Sequence, residues 1–413
     1  MLNTERSRSR VTSSEVLGKG GEKIKLKDLG PVGERARKMM YLDNAATGRY
    51  KPKTVFEAMM AALQTPANPG RGGHSASIKA AGEVERAREC IKRAFNAPGY
   101  QVIFTCNCTE ALNIAILGWL RKFKGQESRV ICTAYDHNSV LRPLTALKGE
   151  QDLTVDVVMP GDNGEISVRA IREKITDKTR LIIATHISNV TGGVTDINAV
   201  GALCKEYNIP FLADCAQSAG HLKIDMQASG MTFLCTAGHK GLHGPQGSGF
   251  LIVKEGTELL PVKFGGTGTE SLSISQPSEM PESLESGTLN TPGICGLRAG
   301  VEWTHANLLE INSRIKAFCA VLRDRMERIS RVKLYSPPGS GLVTFSVDGM
   351  TSVDVADELN EAEIFVRGGL HCAPLAHIAL NTVKDGLVRI SPGWSNTERQ
   401  AEITASVIKN IVK

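Results

Sequence analysis

No stretch of this 413-residue sequence stays apolar for long. The longest clean run, Leu112–Leu120, is broken by Asn113 and Gly118, far below the roughly 20 residues needed to span a bilayer, which excludes an integral membrane protein. Paired cysteines are missing too. The ten cysteines are scattered, and none form the C-x-x-C pairs of a zinc ribbon. Cys132 and Cys235 lie inside apolar, strand-like runs, as buried free thiols do, so the expected compartment is a reducing cytoplasm. Nor is there a charge excess spread along the chain. Of the net +6, residues 1–38 carry +5, with ten basic and five acidic residues, and the other 375 carry only +1. That leaves no uniformly basic face for nucleic acid. Met1–Glu15 is rich in Ser and Arg and has no apolar h-region, so it reads as a solvated tail rather than a secretory signal. Glu5 and Glu15 also break the acid-poor pattern of an organelle-targeting peptide. No internal repeat or low-complexity segment stands out.

What is present is the balance of an ordinary globular protein, 41% hydrophobic and 22% charged, long enough for two domains. From Ile78, the residues Ala81, Val84, Ala87, Ile91 and Phe95 recur at helical spacing. Short apolar runs of strand length follow at Val102–Thr105, Val130–Thr133, Leu181–Ala184, Phe211–Ala213, Phe233–Cys235 and Phe250–Val253. Helical stretches such as Ala111–Lys122 and Asn198–Tyr207 separate several of them. Strands apolar on both faces that alternate with helices predict an α/β fold with a mainly parallel sheet. Phe264–Asn290 is Gly-, Thr- and Ser-rich and reads as one long irregular, functional stretch. A long amphipathic helix (Leu297–Ile329) and strand patterns at Val332–Tyr335 and Leu342–Val347 then predict a smaller α+β unit. The expected division is a basic extension over 1–38, a large domain over 39–290 and a small C-terminal domain over 291–413.

The sharpest local feature is Thr236-Ala237-Gly238-His239-Lys240-Gly241, directly after an apolar strand. Ligand-binding loops of α/β sheets gather at such strand ends, although Lys240 alone reads as a surface lysine on a turn. Asp214 ends the run Ile209–Asp214, where a carboxylate is costly unless partnered by a cation; it could equally cap a following helix. Together, a strand-end Asp and a strand-end Lys are what a pyridoxal phosphate enzyme needs. The Lys forms a Schiff base, and the Asp keeps the pyridine nitrogen protonated so that the ring acts as an electron sink. Phe104–Asn113 is strand, polar turn and helix start, with Thr109 in the first helical turn, and a helix N-terminus can cradle a phosphate. Cys235, His239 and His243 have ligand-like spacing, but Gly238, Gly241 and Gly244 argue against one continuous helix and so against a zinc site.

The ordered set of motifs carries a resemblance. Tyr41–Thr47, Asn68–His74, Thr109–Asn113, Asp136–Ser139, His186–Gly192, Asp214–Ser218, Gly238–Gly241 and Arg367–Leu375 span residues 41 to 395. In that order they resemble the class V, fold-type I aminotransferases, and within them the Suf-type, NifS-like cysteine desulfurases. The resemblance implies a pyridoxal 5'-phosphate enzyme whose large domain has a mainly parallel seven-stranded sheet. It implies a homodimer that converts L-cysteine to L-alanine and passes sulfur to an acceptor protein feeding iron–sulfur cluster or thio-cofactor synthesis. Selenocysteine lyase and cysteine sulfinate desulfinase remain open as enzyme alternatives. A non-catalytic scaffold subunit is the alternative of another class.

Residue by residue, the resemblance implies that Lys240 is the Schiff-base lysine and proton base. Asp214 would pair with the ring nitrogen, Gln217 would bond the phenolic oxygen, His137 would stack on the ring, and Asn189 would orient ring and substrate. Thr109, the backbone N–H of Cys108 and His239 would hold the phosphate, with Thr288 reaching it from a partner subunit. Arg389 would clamp the substrate carboxylate, for which a planar fork of donors is suited; read locally, it is a strand-edge surface arginine. Arg367 would help bind substrate. Cys372 would be the persulfide-forming nucleophile, set among Gly368, Gly369 and Pro374, beside His371 and near Arg367, cationic or potentially cationic neighbours of the kind that favour a thiolate. His371 would assist proton transfer. Three features depart from the family pattern: Ala237 where a Ser or Thr commonly contacts phosphate, Asn107-Cys108 before Thr-Glu-Ala, and the long N-terminal extension.

Overall fold

The computed structural model describes residues 39–413 apart from Arg71, together with the short strands Glu15–Leu17 and Lys23–Lys25, which pair antiparallel. The solvated tail expected at the start of the chain and the bulk of the 1–38 extension lie outside the described residues, as does Arg71 of the Asn68–His74 motif.

Seven strands build the main sheet: β1 (Tyr100–Thr105), β2 (Ser128–Thr133), β3 (Leu153–Val158), β4 (Thr179–Thr185), β5 (Phe211–Asp214), β6 (Phe233–Ala237) and β7 (Gly249–Lys254). Their order is β1-β7-β6-β5-β4-β2-β3. β7 runs antiparallel to both neighbours, and every other pairing is parallel. β5 and β6 are buried at every position, because helices cover both faces of a parallel sheet and both rows of side chains become core. The six apolar runs read from the sequence are all strands. β3 was not among them. It lies at the sheet edge, its four middle residues are partly exposed, and Thr154 and Asp156 interrupt its apolar pattern.

Four helices position the site and its surroundings: α1 (Ser75–Ala94), α2 (Cys108–Leu120), α3 (Asn138–Lys148) and α4 (Thr291–Met326). α2 starts where Asn107 accepts a hydrogen bond from the Glu110 amide, and α3 where the His137 ring accepts one from the Ser139 amide; each cap satisfies an otherwise orphaned donor. No residue from 255 to 290 belongs to a helix or strand, matching the irregular stretch expected there. That loop is anchored by Glu285, which pairs with Arg88 of α1 and accepts from the Phe104 amide of β1.

The second sheet contains β8 (Val332–Leu334), β9 (Val343–Val347), β10 (Arg367–Gly369) and β11 (Leu387–Ile390), antiparallel in the order β8-β9-β11-β10. The expected division of the chain needs two corrections. Met40–Tyr41 pairs with Ile364–Phe365, and Leu42 belongs to the core of the smaller unit, so residues 40–42 do not belong to the large one. α4 lends Ile294, Leu297 and Val301 to the large core and Ile311 through Met326 to the small one. A single 36-residue helix therefore ties the two cores together. Among the described residues, no helix is long and apolar enough to cross a membrane.

Candidate active site

A cavity of about 710 Å³ opens where the main sheet meets the smaller unit. Its floor comes from the carboxyl ends of parallel strands, the usual ligand position in open α/β sheets. β5 contributes Asp214, and the turn after β6 contributes His239 and Lys240. The N-terminus of α2 contributes Cys108 and Thr109, that of α3 contributes His137 and Ser139, and the segment after β4 contributes Asn189. Gln217 lines it from the turn after β5, and Arg367, His371 and Arg389 close it from the smaller unit. The lining thus unites residues from six motifs between 109 and 375 that are far apart in sequence, with Arg389 from beyond them.

Lys240 is partly buried, and desolvation lowers the pKa of its ammonium, which favours the neutral amine. Asp214 is buried and makes no ion pair with a protein side chain among the described residues. Its Oδ1 accepts from the Ala216 amide at 2.9 Å and from the Cys108 thiol at 3.6 Å. The Cys108 side chain, part of the Asn107-Cys108 departure from the family pattern, is thus engaged with Asp214. Gln217 donates to the Ala45 carbonyl at 2.9 Å. Thr109 Oγ1 lies 2.8 Å from Ser139 Oγ, which in turn lies 2.9 Å from His137 Nδ1. Burial lowers the pKa of His137 and brings that of His239 down to about 4. His239 Nδ1 meets Thr47 Oγ1 at 3.0 Å, while His243 bonds Thr304 instead; with Cys235 they form no convergent ligand set.

Arg389 is nearly fully buried inside β11, which has strands on both sides, so the strand-edge surface reading is overturned. Its guanidinium donates to Asp43 Oδ1 and to the Asn189 carbonyl, each at 2.9 Å, and leaves Nε without a partner. Cys372 is exposed at the rim and is absent from the cavity lining. Both His371 and Cys372 adopt left-handed backbone angles, φ 50° and 56°. Asn189 Nδ2 donates to the His371 carbonyl at 2.7 Å, and the Asn138 amide donates to the Cys372 carbonyl at 2.8 Å. The His371 ring is 4% exposed, and burial drives its pKa down to about 3. It is therefore a neutral neighbour of Cys372, not a cationic one.

Thr288 is exposed on the 255–290 loop and does not line this cavity. Sequence reasoning gave no role to Asp43, Thr47 or Ser139. All three lay within the quoted motifs, but each is a small polar residue, and nothing local distinguishes it from any other.

The aminotransferase class-V family model matches residues 40–403. A protein of Methanothermobacter thermautotrophicus named "Probable cysteine desulfurase" is 33% identical over 388 residues, covering 91% of this chain and 95% of that protein. Cysteine desulfurase IscS of Clostridium botulinum is 30% identical over 391 residues, covering 91% and 95%. Among solved structures, the apo cysteine desulfurase of Thermococcus onnurineus superposes with a TM-score of 0.85 at 30% identity, covering 92% of this chain and 98% of that one. The cysteine desulfurase CsdA of Escherichia coli gives 0.81 at 26% identity, with the same coverage.

Proposed function

We propose that this chain, which belongs to the class-V aminotransferase family, is a pyridoxal phosphate-dependent cysteine desulfurase that converts L-cysteine to L-alanine and leaves the sulfur on Cys372. The observation that carries the reading is the convergence of Lys240, Asp214 and Arg389 on one cavity with the exposed Cys372 at its rim.

The cavity suits the cofactor. A buried carboxylate without a protein ion-pair partner lies in it together with a desolvated lysine, and two helix N-termini, carrying the Thr109 and Ser139 hydroxyls, offer donors for a phosphate with a histidine nearby. Lys240 would bind the aldehyde carbon, Asp214 the ring nitrogen and Gln217 the phenolic oxygen. His137 would stack on the ring. Thr109, the Cys108 amide and His239 would hold the phosphate, and Thr288 of a second subunit would complete it in a homodimer. When bound, the cofactor supplies an electron sink at the substrate's α-carbon.

The chain's own groups do the rest. Arg389 clamps the substrate carboxylate with Arg367 nearby, and Asn189 orients the substrate. The Lys240 amine takes the α-proton, for which a lowered pKa is an advantage near neutral pH. The Cys372 thiolate attacks the substrate sulfur. An S–S bond forms as the C–S bond breaks, and its electron pair leaves with the β-carbon, which gains one proton and becomes the methyl group of alanine, while the α-carbon regains the proton it lost. His371, buried and neutral, can relay a proton at its ring. The persulfide then passes to a thiol on an acceptor protein of a reducing cytoplasm, in support of iron–sulfur cluster or thio-cofactor synthesis.

The test is alanine and sulfide release from cysteine under reducing conditions. Wild type should yield both products, Cys372→Ser neither, and Lys240→Ala neither together with loss of visible absorbance after pyridoxal phosphate is added. Full activity in Cys372→Ser overturns the reading. Selenocysteine turnover that survives in Cys372→Ala while cysteine turnover is lost identifies a selenocysteine lyase instead.

A further inference from the structure

Asp214 is surrounded by sulfur. Cys215 follows it in the chain, Cys235 faces it across the β5–β6 register, and Cys108 reaches it from the start of α2. Of the three thiols, only that of Cys108 belongs to a residue lining the cavity. Cys108 is the first residue of α2. Asn107 precedes it in extended conformation and is locked as the cap by the Glu110 amide, so the helix start fixes where the Cys108 side chain emerges. Burial and the adjacent Asp214 carboxylate hold this thiol protonated, and a protonated thiol can donate.

The two hydrogen bonds to Asp214 are unequally distributed. The Ala216 amide and the Cys108 thiol both converge on Oδ1, and no protein donor reaches Oδ2 among the described residues. One oxygen is pinned from two sides, and the other is left to accept a proton-bearing partner.

We propose that Cys108 is a positioning residue. Its thiol, together with the Ala216 amide, fixes the rotation of the Asp214 carboxylate so that Oδ2 is presented to the ring nitrogen of the pyridoxal group. This rests on the reading of the cavity as a pyridoxal phosphate site. The donor also withdraws charge from the carboxylate and so tempers its pull on the ring proton. Removing the donor leaves more of the carboxylate's negative charge facing the ring region, so the group whose titration moves the visible band should lose its proton at higher pH.

The experiment compares Cys108→Ala, Cys108→Ser and wild type, each loaded with pyridoxal phosphate, by titrating the visible absorption band and measuring cofactor dissociation. Cys108→Ala should move the band's midpoint up by about 0.5 pH unit and weaken retention roughly threefold, modest values because a thiol is a weak donor. Cys108→Ser, which restores a donor, should return to within about 0.2 unit of wild type, a rescue that a merely structural role does not predict. Cys108→Val keeps the volume without the donor, and it carries the test should the alanine variant unfold. Identical midpoints and dissociation constants in the donor-free and donor-bearing proteins overturn the proposal. Wild-type protein that develops no visible band at all overturns the cofactor reading instead, so the two failures are distinguishable.

Discussion

The Arg389 guanidinium stands 2.9 Å from the Asp43 carboxylate, joining an interior strand of the smaller sheet to a turn near the start of the described chain. The pair keeps a buried cation at the cavity wall with part of its donor fork already engaged. In the proposed role, a substrate carboxylate would therefore meet an arginine that is oriented in advance, with its Nε free of any protein partner. Replacing Arg389 by Lys keeps the charge and loses the fork. The expected result is a KM for cysteine at least about tenfold higher, the worth of one charge-assisted hydrogen bond. The visible band of the loaded protein should be unchanged. Steady-state kinetics beside an absorption spectrum check both halves.

Gly368 lies four residues before Cys372, and a Cβ there would come within 2.4 Å of the Ser352 carbonyl. Gly368→Ala should push β10 away from the helix Ser352–Glu361 and displace the turn that presents Cys372. Sulfide release should fall at least about tenfold, as expected when reacting atoms shift by an ångström or less, while cofactor binding stays intact. Equal sulfide release in both proteins would show that the turn tolerates the shift.

The Arg88–Glu285 pair is buried on both sides, with Glu285 bound also by the Phe104 amide and the Arg88 guanidinium 4.8 Å from the Phe104 ring. Removing one partner strands the other charge in the interior. Glu285→Ala should cost about 3–5 kcal/mol in urea unfolding, whereas an apolar replacement of both residues, Arg88→Met with Glu285→Leu, should cost less than either single change.

Acid sensitivity has a definite sign. Burial lowers the pKa of His186 to about 4, and its Nδ1 has no partner. An unfolded histidine takes up a proton near pH 6.5, so between about 6.5 and 4 the unfolded state binds more protons than the native one. Its contribution to stability is complete above that window and declines as pH falls through it. Asp136, pushed up to about 7 by burial, works the other way, favouring the native state as pH falls from 7 towards 4. His186→Leu should therefore flatten the acid limb of a urea-midpoint profile by up to about 1.4 kcal/mol per pH unit. A profile parallel to wild type would rule this assignment out.

Local pattern revealed most of the scaffold. β5 and β6 are short apolar runs ending in Asp214 and the Gly-His-Lys turn, and their full burial made them conspicuous. β3 escaped because an edge strand needs only part of its surface to be apolar. The site was less legible wherever a residue's role depends on a distant partner. Arg389 looked like a surface residue because its partner Asp43 is 346 positions away in the chain. Cys108 was noted only as a departure from the family pattern because Asp214, 106 positions on, is what its thiol meets. His371 looked like a potential cation because no local signal predicts that the smaller unit would bury it.

The consecutive left-handed residues His371 and Cys372 bear on how sulfur can leave. The carbonyl of each is fastened to the large unit, one by the Asn189 side chain and the other by the Asn138 amide. The thiol therefore stands on a fixed pedestal, not on a swinging arm. A sulfur atom loaded there, as the proposed mechanism requires, would have little reach of its own, so delivery would become a docking problem. On the proposed mechanism, an acceptor would have to bring its thiol to within bonding distance of this one spot, and the shape of the surface around Cys372, more than the length of any tether, would decide which acceptors qualify.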